Sequence, residues 1–343
     1  MEFNHVSRKK PFFPIRESLA AYLKRFERAA DIGISYSDLL KSSSQIPVHD
    51  KSGHDTLWVT KLYDPSHMEE LNHALTRIYS LLKTAGDMHA IEHLFVERID
   101  FCTFGNSKPF RIRIMNRLND NYDYYYIKTA DASRIYGLEL EHILSPNRIN
   151  YLAHGNTLVE EHIVGIPGDD FIRTRMEEPE INRVRLSKEF VKFNERCFLR
   201  LLGDQRAYNF VVDITPDFDD EQYRIRSIDF DQQCYEGRKN LYLPQYFKDN
   251  LPFVELASKT MTEVTVEQYK LEERVQTARR VKASQYRLNA LLDCMASDAI
   301  STPEKTASLA KDLGAHHGIT DFTSLNNMGE ILRLHLNLLK VTV

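Results

Sequence analysis

The order of strand-like and helical runs between residues 94 and 163 is the feature that most limits the folds open to this chain. Three runs rich in aromatic and β-branched residues come first, and turn residues such as Pro109 and Asn119 separate them. These runs are Leu94–Thr103, Phe110–Arg117 and Tyr122–Thr129. Because short turns join antiparallel neighbours, the sequence predicts a three-stranded meander.

A helix and two more strands follow the meander. Helical periodicity over Ala132–Leu144 comes with Asp131 as an N-cap candidate and Pro146 as a stop signal. Strands are then predicted over Ile149–Leu152 and Thr157–Ile163. The predicted order is three strands, one helix and two strands, which indicates an α+β fold with an antiparallel sheet.

Two acidic motifs come after this region. Asp204 follows a helix predicted over Ser187–Leu202, and Asn209 stands five residues further on. A predicted hairpin separates Asn209 from the motif Asp229–Asp231. Carboxylate and amide oxygens suit Mg²⁺, and phosphoryl transfer to a hydroxyl also needs a carboxylate that orients the acceptor. The two motifs therefore predict a phosphoryl-transfer site.

The flanking segments carry no motif with readable chemistry. Before residue 91 the sequence predicts helices over residues 14–30 and Pro65–Lys83, with a loop over Lys41–Lys51 between them. The C-terminal helices are predicted over Val266–Ala296, Pro303–Leu313 and Met328–Leu339. The predicted domains are an N-terminal helical extension (1–90), a small sheet domain (91–168) and a helical domain (169–343).

Composition limits the partners that we expect. The formal net charge of −4 and the pI near 6.4 give no general attraction to nucleic acid or anionic membranes. No apolar run reaches the about 20 residues of a membrane span, and the N-terminus lacks the apolar region of a secretory signal. The four cysteines are widely separated and are predicted to be reduced thiols. We therefore predict a cytoplasmic protein without a nucleic-acid or membrane partner.

Together these motifs resemble those of the protein kinase-like superfamily, and they are nearest to the aminoglycoside-phosphotransferase type. Asp204–Asn209 has the sequence D-Q-R-A-Y-N where the family has D-x-x-x-x-N, and Asp229–Asp231 has D-F-D where the family has D-F-G. The resemblance covers residues 91–250. It implies a two-lobed kinase-like fold, with a small antiparallel-sheet lobe and a mainly helical large lobe, here preceded by the helical extension.

The resemblance also implies that the site binds ATP and Mg²⁺. Asp204 would orient or deprotonate the acceptor hydroxyl, and Asn209 and Asp229 would hold Mg²⁺ on the phosphates. Asp231 stands where the family has glycine, and this extra carboxylate is a further candidate metal ligand. Lys128 ends the third strand of the meander and is similar to the lysine that pairs with the α/β phosphates of the nucleotide.

The helix after Lys128 should then supply a glutamate that holds this lysine. Glu139 and Glu141 are both available. On a helical wheel, Glu139 falls within the apolar face between Ile135 and Ile143, whereas Glu141 points to the opposite side. Because a carboxylate within an apolar face requires a partner, Glu139 is the predicted partner of Lys128.

The end of the last strand in this region resembles the segment that holds an adenine ring through backbone groups. The residues concerned are Glu160, Glu161, His162 and Ile163, and they precede a glycine-containing step at residues 165–168. An ordinary strand end is the alternative interpretation, and the sequence favours neither.

Two departures from the family pattern bear on function. The turn after the first strand has one glycine, Gly105, where many kinases have G-x-G-x-x-G, and Gln205 follows the candidate catalytic aspartate. We predict an ATP- and Mg²⁺-dependent phosphotransferase that acts on a hydroxyl of an unidentified small molecule or protein. The alternatives are a kinase-like module that binds nucleotide or a protein without catalysis, and transfer of another part of the nucleotide, such as AMP.

Overall fold

The computed structural model describes residues 10–50, 52–84, 86–87, 89, 92–104, 107–218 and 220–339. These residues form two compact units. Unit 1 comprises the described residues up to Asp131 together with Ile149–His162, and unit 2 comprises Ala132–Arg148 together with the described residues from Ile163 onward. The fold is α+β, with a seven-stranded antiparallel sheet and a mainly helical C-terminal region.

Unit 1 is built on the seven-stranded sheet, in which every neighbouring pair is antiparallel. Its strands are β1 (Ser44–His49), β2 (Asp55–Leu62), β3 (Leu94–Cys102), β4 (Phe110–Asn116), β5 (Tyr122–Thr129), β6 (Tyr151–His154) and β7 (Thr157–Glu161). Their order across the sheet is β1-β2-β3-β4-β5-β7-β6. The meander of β3, β4 and β5 is confirmed, and the β5 bounds are as predicted.

One long helix covers an apolar face of this sheet. The helices of unit 1 are α1 (Glu17–Arg25), α2 (Tyr36–Leu39) and α3 (Pro65–Lys83). Leu71, Leu75 and Ile78 of α3 share a buried cluster with Ile112 of β4 and Ile127 of β5. Apolar residues recur every three to four positions on the helix and every two positions on the strands, so each element can bury one side. The α3 bounds match the prediction, whereas α1 is shorter than the predicted 14–30.

The loop predicted over Lys41–Lys51 is wrong for residues 44–49, which form β1. The segment predicted to be a helical extension also contains β2, which pairs with β3. β1 is exposed along nearly its whole length and contains only Ile46 and Val48 as an alternating apolar pair, so its strand geometry comes mainly from the ladder with β2. Pro47 is compatible with this because β1 is an edge strand, where a missing N–H is tolerated.

Unit 2 is mainly helical and also contains a three-stranded sheet. Its helices are α4 (Ala132–Leu144), α5 (Gly168–Thr174), α6 (Arg183–Arg200), α7 (Leu251–Thr260), α8 (Glu263–Ala283), α9 (Gln285–Ser297), α10 (Pro303–His317) and α11 (Met328–Leu338). Its strands are β8 (Ile166–Pro167), β9 (Phe210–Asp217) and β10 (Asp220–Ser227), in the order β10-β9-β8. The helix α4 and the β9–β10 hairpin are confirmed, whereas the helix predicted over Val266–Ala296 is two helices, because Ser284 leaves helical geometry.

Two further findings concern membrane spans and thiols. Within the described ranges, we find no helix with the length and apolar character needed to cross a bilayer. The structure describes all four cysteines, none of which is in a disulfide, and three of them are buried.

Candidate active site

The turn after α6 and the segment after β10 lie side by side in unit 2. Leu201 ends α6 in the left-handed conformation, with φ 53°. Leu202 then forms an antiparallel bridge with Gln233, and the Gly203 N–H donates to the Gln232 carbonyl over 3.2 Å. This pairing brings the two acidic motifs together, although the β9–β10 hairpin separates them in the sequence.

Asn209 connects the two motifs directly. Its side-chain Nδ2 donates to the backbone carbonyl of Asp204 over 2.7 Å, and its backbone carbonyl accepts from the Ile228 N–H over 3.0 Å. Ile228 immediately precedes Asp229. These bonds connect the backbone of Asp204 to Asn209, and Asn209 to the residue before Asp229; a shared role for the three side chains stays a prediction.

Gln205, a departure from the family pattern, supports this arrangement. Its buried side chain donates from Nε2 to the Asp229 carbonyl over 2.9 Å, and to the Gly203 carbonyl over 3.2 Å. Asn250 in turn donates to the Gln205 carbonyl over 2.8 Å. The amide at position 205 thus holds the backbone of both motifs in place.

The first turn of α4 contacts the Asp229–Asp231 motif. Arg134 Nη2 lies 2.5 Å from Asp231 Oδ1 and 3.5 Å from Asp229 Oδ1. Ser133 donates to the Asp231 carbonyl over 3.1 Å. A Cβ added to Gly137 would lie 2.9 Å from the Cβ of Phe230, so α4 approaches the motif as closely as a glycine allows. No local signal in the sequence pointed to Arg134, because its partners are 95 or more residues away.

Arg206 is the second charged residue of the site that sequence reasoning did not single out. Its Nε lies 2.9 Å from Asp204 Oδ1, and its Nη1 lies 3.3 Å from Asp249 Oδ2. Its guanidinium also lies over the Phe247 ring. Burial raises the pKa of Asp204, and the Arg206 guanidinium opposes part of that rise. The position of Arg206 two residues after Asp204, inside the D-x-x-x-x-N motif, is the sequence feature that could have indicated this pairing.

In unit 1, Lys128 and Glu160 form a buried ion pair. Lys128 Nζ lies 2.7 Å from Glu160 Oε2, and both side chains are less than a tenth exposed, at 9% and 5%. The pairing follows from strand register, since Glu160 on β7 is opposite Tyr126, two residues before Lys128 on β5. The two residues were predicted to take separate parts in nucleotide binding, and the structure brings them together.

The other residues of the predicted adenine segment lie at the end of β7. β7 is an internal strand, so Glu160 pairs with both β5 and β6, and Glu161 pairs with Tyr125 of β5. His162 follows the last strand residue, and its Nδ1 lies 3.4 Å from the Tyr126 hydroxyl. Burial lowers the pKa of His162. His162 and the buried Ile163 are therefore the residues of this segment that lie beyond the sheet ladder.

Both candidate glutamates of α4 have an arginine partner within unit 2. Glu139 Oε1 lies 2.5 Å from Arg287 Nε, and Glu141 forms an ion pair with Arg200. Both carboxylates are buried, because α4 is buried on nearly every side. The helical-wheel argument therefore does not separate the two, and the pairing of Lys128 with Glu139 stays a prediction.

Asn209 and Asp229 are the candidate metal ligands that the sequence predicted. The part of the chain that the structure describes contains no group of three or more His, Cys, Asp or Glu residues arranged to hold a metal ion. The candidate set instead combines the Asn209 amide oxygen with the Asp229 carboxylate, and oxygen-only ligation suits Mg²⁺. The single glycine at residue 105 lies outside the described residues.

No protein-family model matches this chain, and no curated protein is significantly similar to it.

Proposed function

We propose that this chain is an ATP- and Mg²⁺-dependent phosphotransferase with a two-lobed kinase-like fold, and that it transfers phosphate to a hydroxyl of a small molecule or protein. The observation that carries the proposal is the hydrogen bond from Asn209 to Asp204, together with the bond from Ile228 to Asn209. These bonds connect Asp204 to Asn209, and Asn209 to the residue before Asp229. They support the proposal because phosphoryl transfer needs an acceptor carboxylate close to oxygen ligands for a metal.

Each residue has one role in this proposal. Asp204 accepts the proton of the acceptor hydroxyl as that oxygen bonds to the γ-phosphorus and the bond to the β-phosphate oxygen breaks. Asn209 and Asp229 would hold Mg²⁺, which would neutralise charge on the phosphates. Lys128 binds the α/β phosphates, and Glu160 orients its ammonium group.

The second candidate is a kinase-like module that binds nucleotide without transferring phosphate. The ion pair between Asp204 and Arg206 favours it, because that pair occupies one oxygen of the carboxylate that would accept the proton. The two candidates share the metal site and differ in the role of Asp204. A cytoplasmic location is also proposed, since free thiols suit a reducing compartment.

Thermal unfolding with and without MgATP tests the proposal. A ligand present at about 100 times its Kd stabilises the folded state by about 2.7 kcal/mol, so we expect the melting temperature of the wild type to rise. Asp229→Asn should abolish the rise, whereas Asp204→Asn should keep it and lose phosphate transfer. No rise for the wild type at millimolar MgATP would contradict both candidates.

A further inference from the structure

A cavity of about 650 Å³ in unit 2 is lined by residues of the segment 238–247 and of α10. Its walls include the aromatic residues Tyr246 and Phe247 on one side and His316 on the other. Small-molecule sites in proteins have volumes of about 300–1,000 Å³, so this cavity is large enough to hold a ligand.

Two contacts connect the cavity to the turn that carries Asp204. The Arg206 guanidinium lies over the Phe247 ring, 5.3 Å from its centroid, and Arg206 Nε is 2.9 Å from Asp204 Oδ1. A Cβ added to Gly203 would lie 3.4 Å from the carbonyl oxygen of Leu241, another wall residue. A molecule that fills the cavity is therefore adjacent to the turn with the candidate acceptor carboxylate.

Lys239 supplies a partly buried positive charge to this cavity. Its Nζ lies 3.5 Å from His316 Nδ1, and in the part of the chain that the structure describes it forms no ion pair with a carboxylate. Asp312 is the one acidic residue among the described lining residues, and its carboxylate accepts from the Lys239 backbone N–H over 3.1 Å. A partly buried ammonium group without a counter-ion favours the binding of an anion.

The other walls suit the uncharged part of such a ligand. Tyr246 and Phe247 offer aromatic rings, and Tyr246 is 57% exposed. Burial and the nearby Lys239 lower the pKa of His316, so its ring is neutral near pH 7 and adds no positive charge. Arg238 also lines the cavity, but it is exposed, and solvent offsets much of its charge. Lys239 is therefore the anion contact of this cavity.

We propose that this cavity is the acceptor site, and that the acceptor carries a carboxylate or a phosphate ester on an apolar or aromatic body. Lys239 binds the anionic group, and the acceptor hydroxyl reaches Asp204. The hydroxyl oxygen bonds to the γ-phosphorus of ATP as the bond from that phosphorus to the β-phosphate oxygen breaks, and the hydroxyl proton passes to Asp204. The products are the phosphorylated acceptor and ADP. The inference rests on the proposed function and specifies the acceptor that the proposed function leaves open.

Binding of three ring compounds by the full chain tests the inference without nucleotide. Phenyl phosphate and phenylacetate are anions, benzyl alcohol is the neutral comparison, and isothermal titration calorimetry gives the dissociation constants. At least one anion should bind about tenfold or more tightly than benzyl alcohol, because a hydrogen bond to a charged group contributes that much. Binding of phenyl phosphate alone would indicate a phosphate ester as the acceptor, and binding of phenylacetate alone would indicate a carboxylic acid.

Three variants make the binding result specific to one side chain. Lys239→Gln should weaken anion binding about tenfold or more, whereas Lys239→Arg keeps the positive charge and should keep the binding. Lys311→Gln is the matched control, since it removes an exposed lysine of α10 outside the cavity, and its affinity should equal that of the wild type. Equal affinities for the three compounds, no binding of either anion, or anion binding unchanged in Lys239→Gln would overturn the inference.

ADP formation from MgATP tests whether the anion occupies the acceptor site, and it needs no variant that has to fold. Neither anion has a hydroxyl, so the one that binds should exclude water beside Asp204 and inhibit the slow hydrolysis of ATP without changing the KM for MgATP. A raised KM for MgATP would mean that the anion binds in the nucleotide site, and it would overturn the inference while leaving the phosphotransferase proposal standing. If the wild type neither binds MgATP nor forms ADP, the proposed function and the acceptor role fail together, although anion binding that is lost in Lys239→Gln would still establish the anion site.

Discussion

Asn209 donates a 2.7 Å hydrogen bond from its side chain to the backbone carbonyl of Asp204, across a turn in which Asp204 has φ 53°. A residue other than glycine adopts this left-handed conformation at an energetic cost, so the turn needs outside support. The Asn209 side chain supplies part of that support through its bond to the Asp204 carbonyl. In the proposed function the amide oxygen of the same side chain would be a ligand to Mg²⁺.

Asn209→Ala should destabilise unit 2. The substitution removes a donor from a buried position and leaves the Asp204 carbonyl without it, which costs about 1–3 kcal/mol. The free energy of unfolding is measured by urea denaturation followed by circular dichroism. Asn240→Ala, at an exposed position of the same unit, is the control and should change it little. Equal stability of the two variants would contradict the role assigned to Asn209.

Lys128→Met should destabilise unit 1 strongly. It removes the cation 2.7 Å from the buried Glu160 carboxylate, and breaking a buried ion pair costs about 3–5 kcal/mol. Lys128→Met combined with Glu160→Gln should be more stable than the single variant, because both charges are then removed. The control is Lys41→Met, which breaks an exposed pair with Asp38. Urea denaturation of these proteins and of Glu160→Gln gives the coupling free energy, and a coupling near zero would refute a buried ion pair.

Arg206→Gln should move the acid limb of the turnover profile to higher pH. Asp204 must be ionised to accept a proton, and its pKa is raised by burial and held down in part by Arg206. Removing the guanidinium removes the lowering influence, so the pKa of Asp204 rises further. The measurement is the pH dependence of kcat/KM for phosphate transfer on the acid side of the profile. Arg238→Gln removes an exposed arginine and is the control, which should leave the acid limb at the wild-type pH. A shift of the acid limb of Arg206→Gln toward lower pH would contradict this role of Arg206.

The pair of His317 and His335 should make unit 2 less stable as the pH falls below about 6.5. Their ring nitrogens lie 3.0 Å apart, and burial lowers the pKa of His335 from 6.5 to about 3 and that of His317 from 6.5 to about 4. Between these values the unfolded chain binds protons that the folded chain does not, so the stability present above pH 6.5 is lost as the pH falls. The loss is about 1.4 kcal/mol per pH unit for the fully buried His335, and it is smaller for the half-buried His317, whose charge solvent screens.

Urea denaturation at neutral pH and at two more acidic values measures this slope. His335→Gln should reduce the loss of stability on acidification, because the fully buried histidine with a lowered pKa is gone. His73→Gln, an exposed histidine of unit 1, should leave the slope of the wild type unchanged. A slope that is the same in all three proteins would contradict the assignment.

Much of the fold follows from local patterns. The bounds of α3 and β5 could be predicted because their apolar residues recur with the period of a helix or a strand. Those of α4 could be predicted because its helical pattern has Asp131 before it and Pro146 after it. β1 was not readable, since an exposed edge strand with a proline owes its geometry to ladder bonds with β2 rather than to its own side chains.

Part of the candidate site could likewise be predicted from the sequence, and part of it could not. Asn209 contacts Asp204 and the residue before Asp229 because short turns and one hairpin bring these segments together, while the shared role of the three residues stays a prediction. Arg134 and the pairing of Lys128 with Glu160 depend on contacts over 32 or more residues, which no local pattern encodes. The choice between Glu139 and Glu141 was not decided by periodicity, because α4 is buried on both of the faces concerned.

The decisive test of the phosphotransferase proposal is the rate of ADP formation from MgATP by the wild type and by Asp204→Asn. We predict slow turnover by the wild type with water as the acceptor, and a loss of about 100-fold or more in the variant, since a positioned general base contributes about 10²–10⁴-fold. The variant should still bind MgATP with an affinity close to that of the wild type, because its metal ligands are intact. Equal turnover by both proteins would contradict the catalytic role of Asp204 and with it the phosphotransferase proposal.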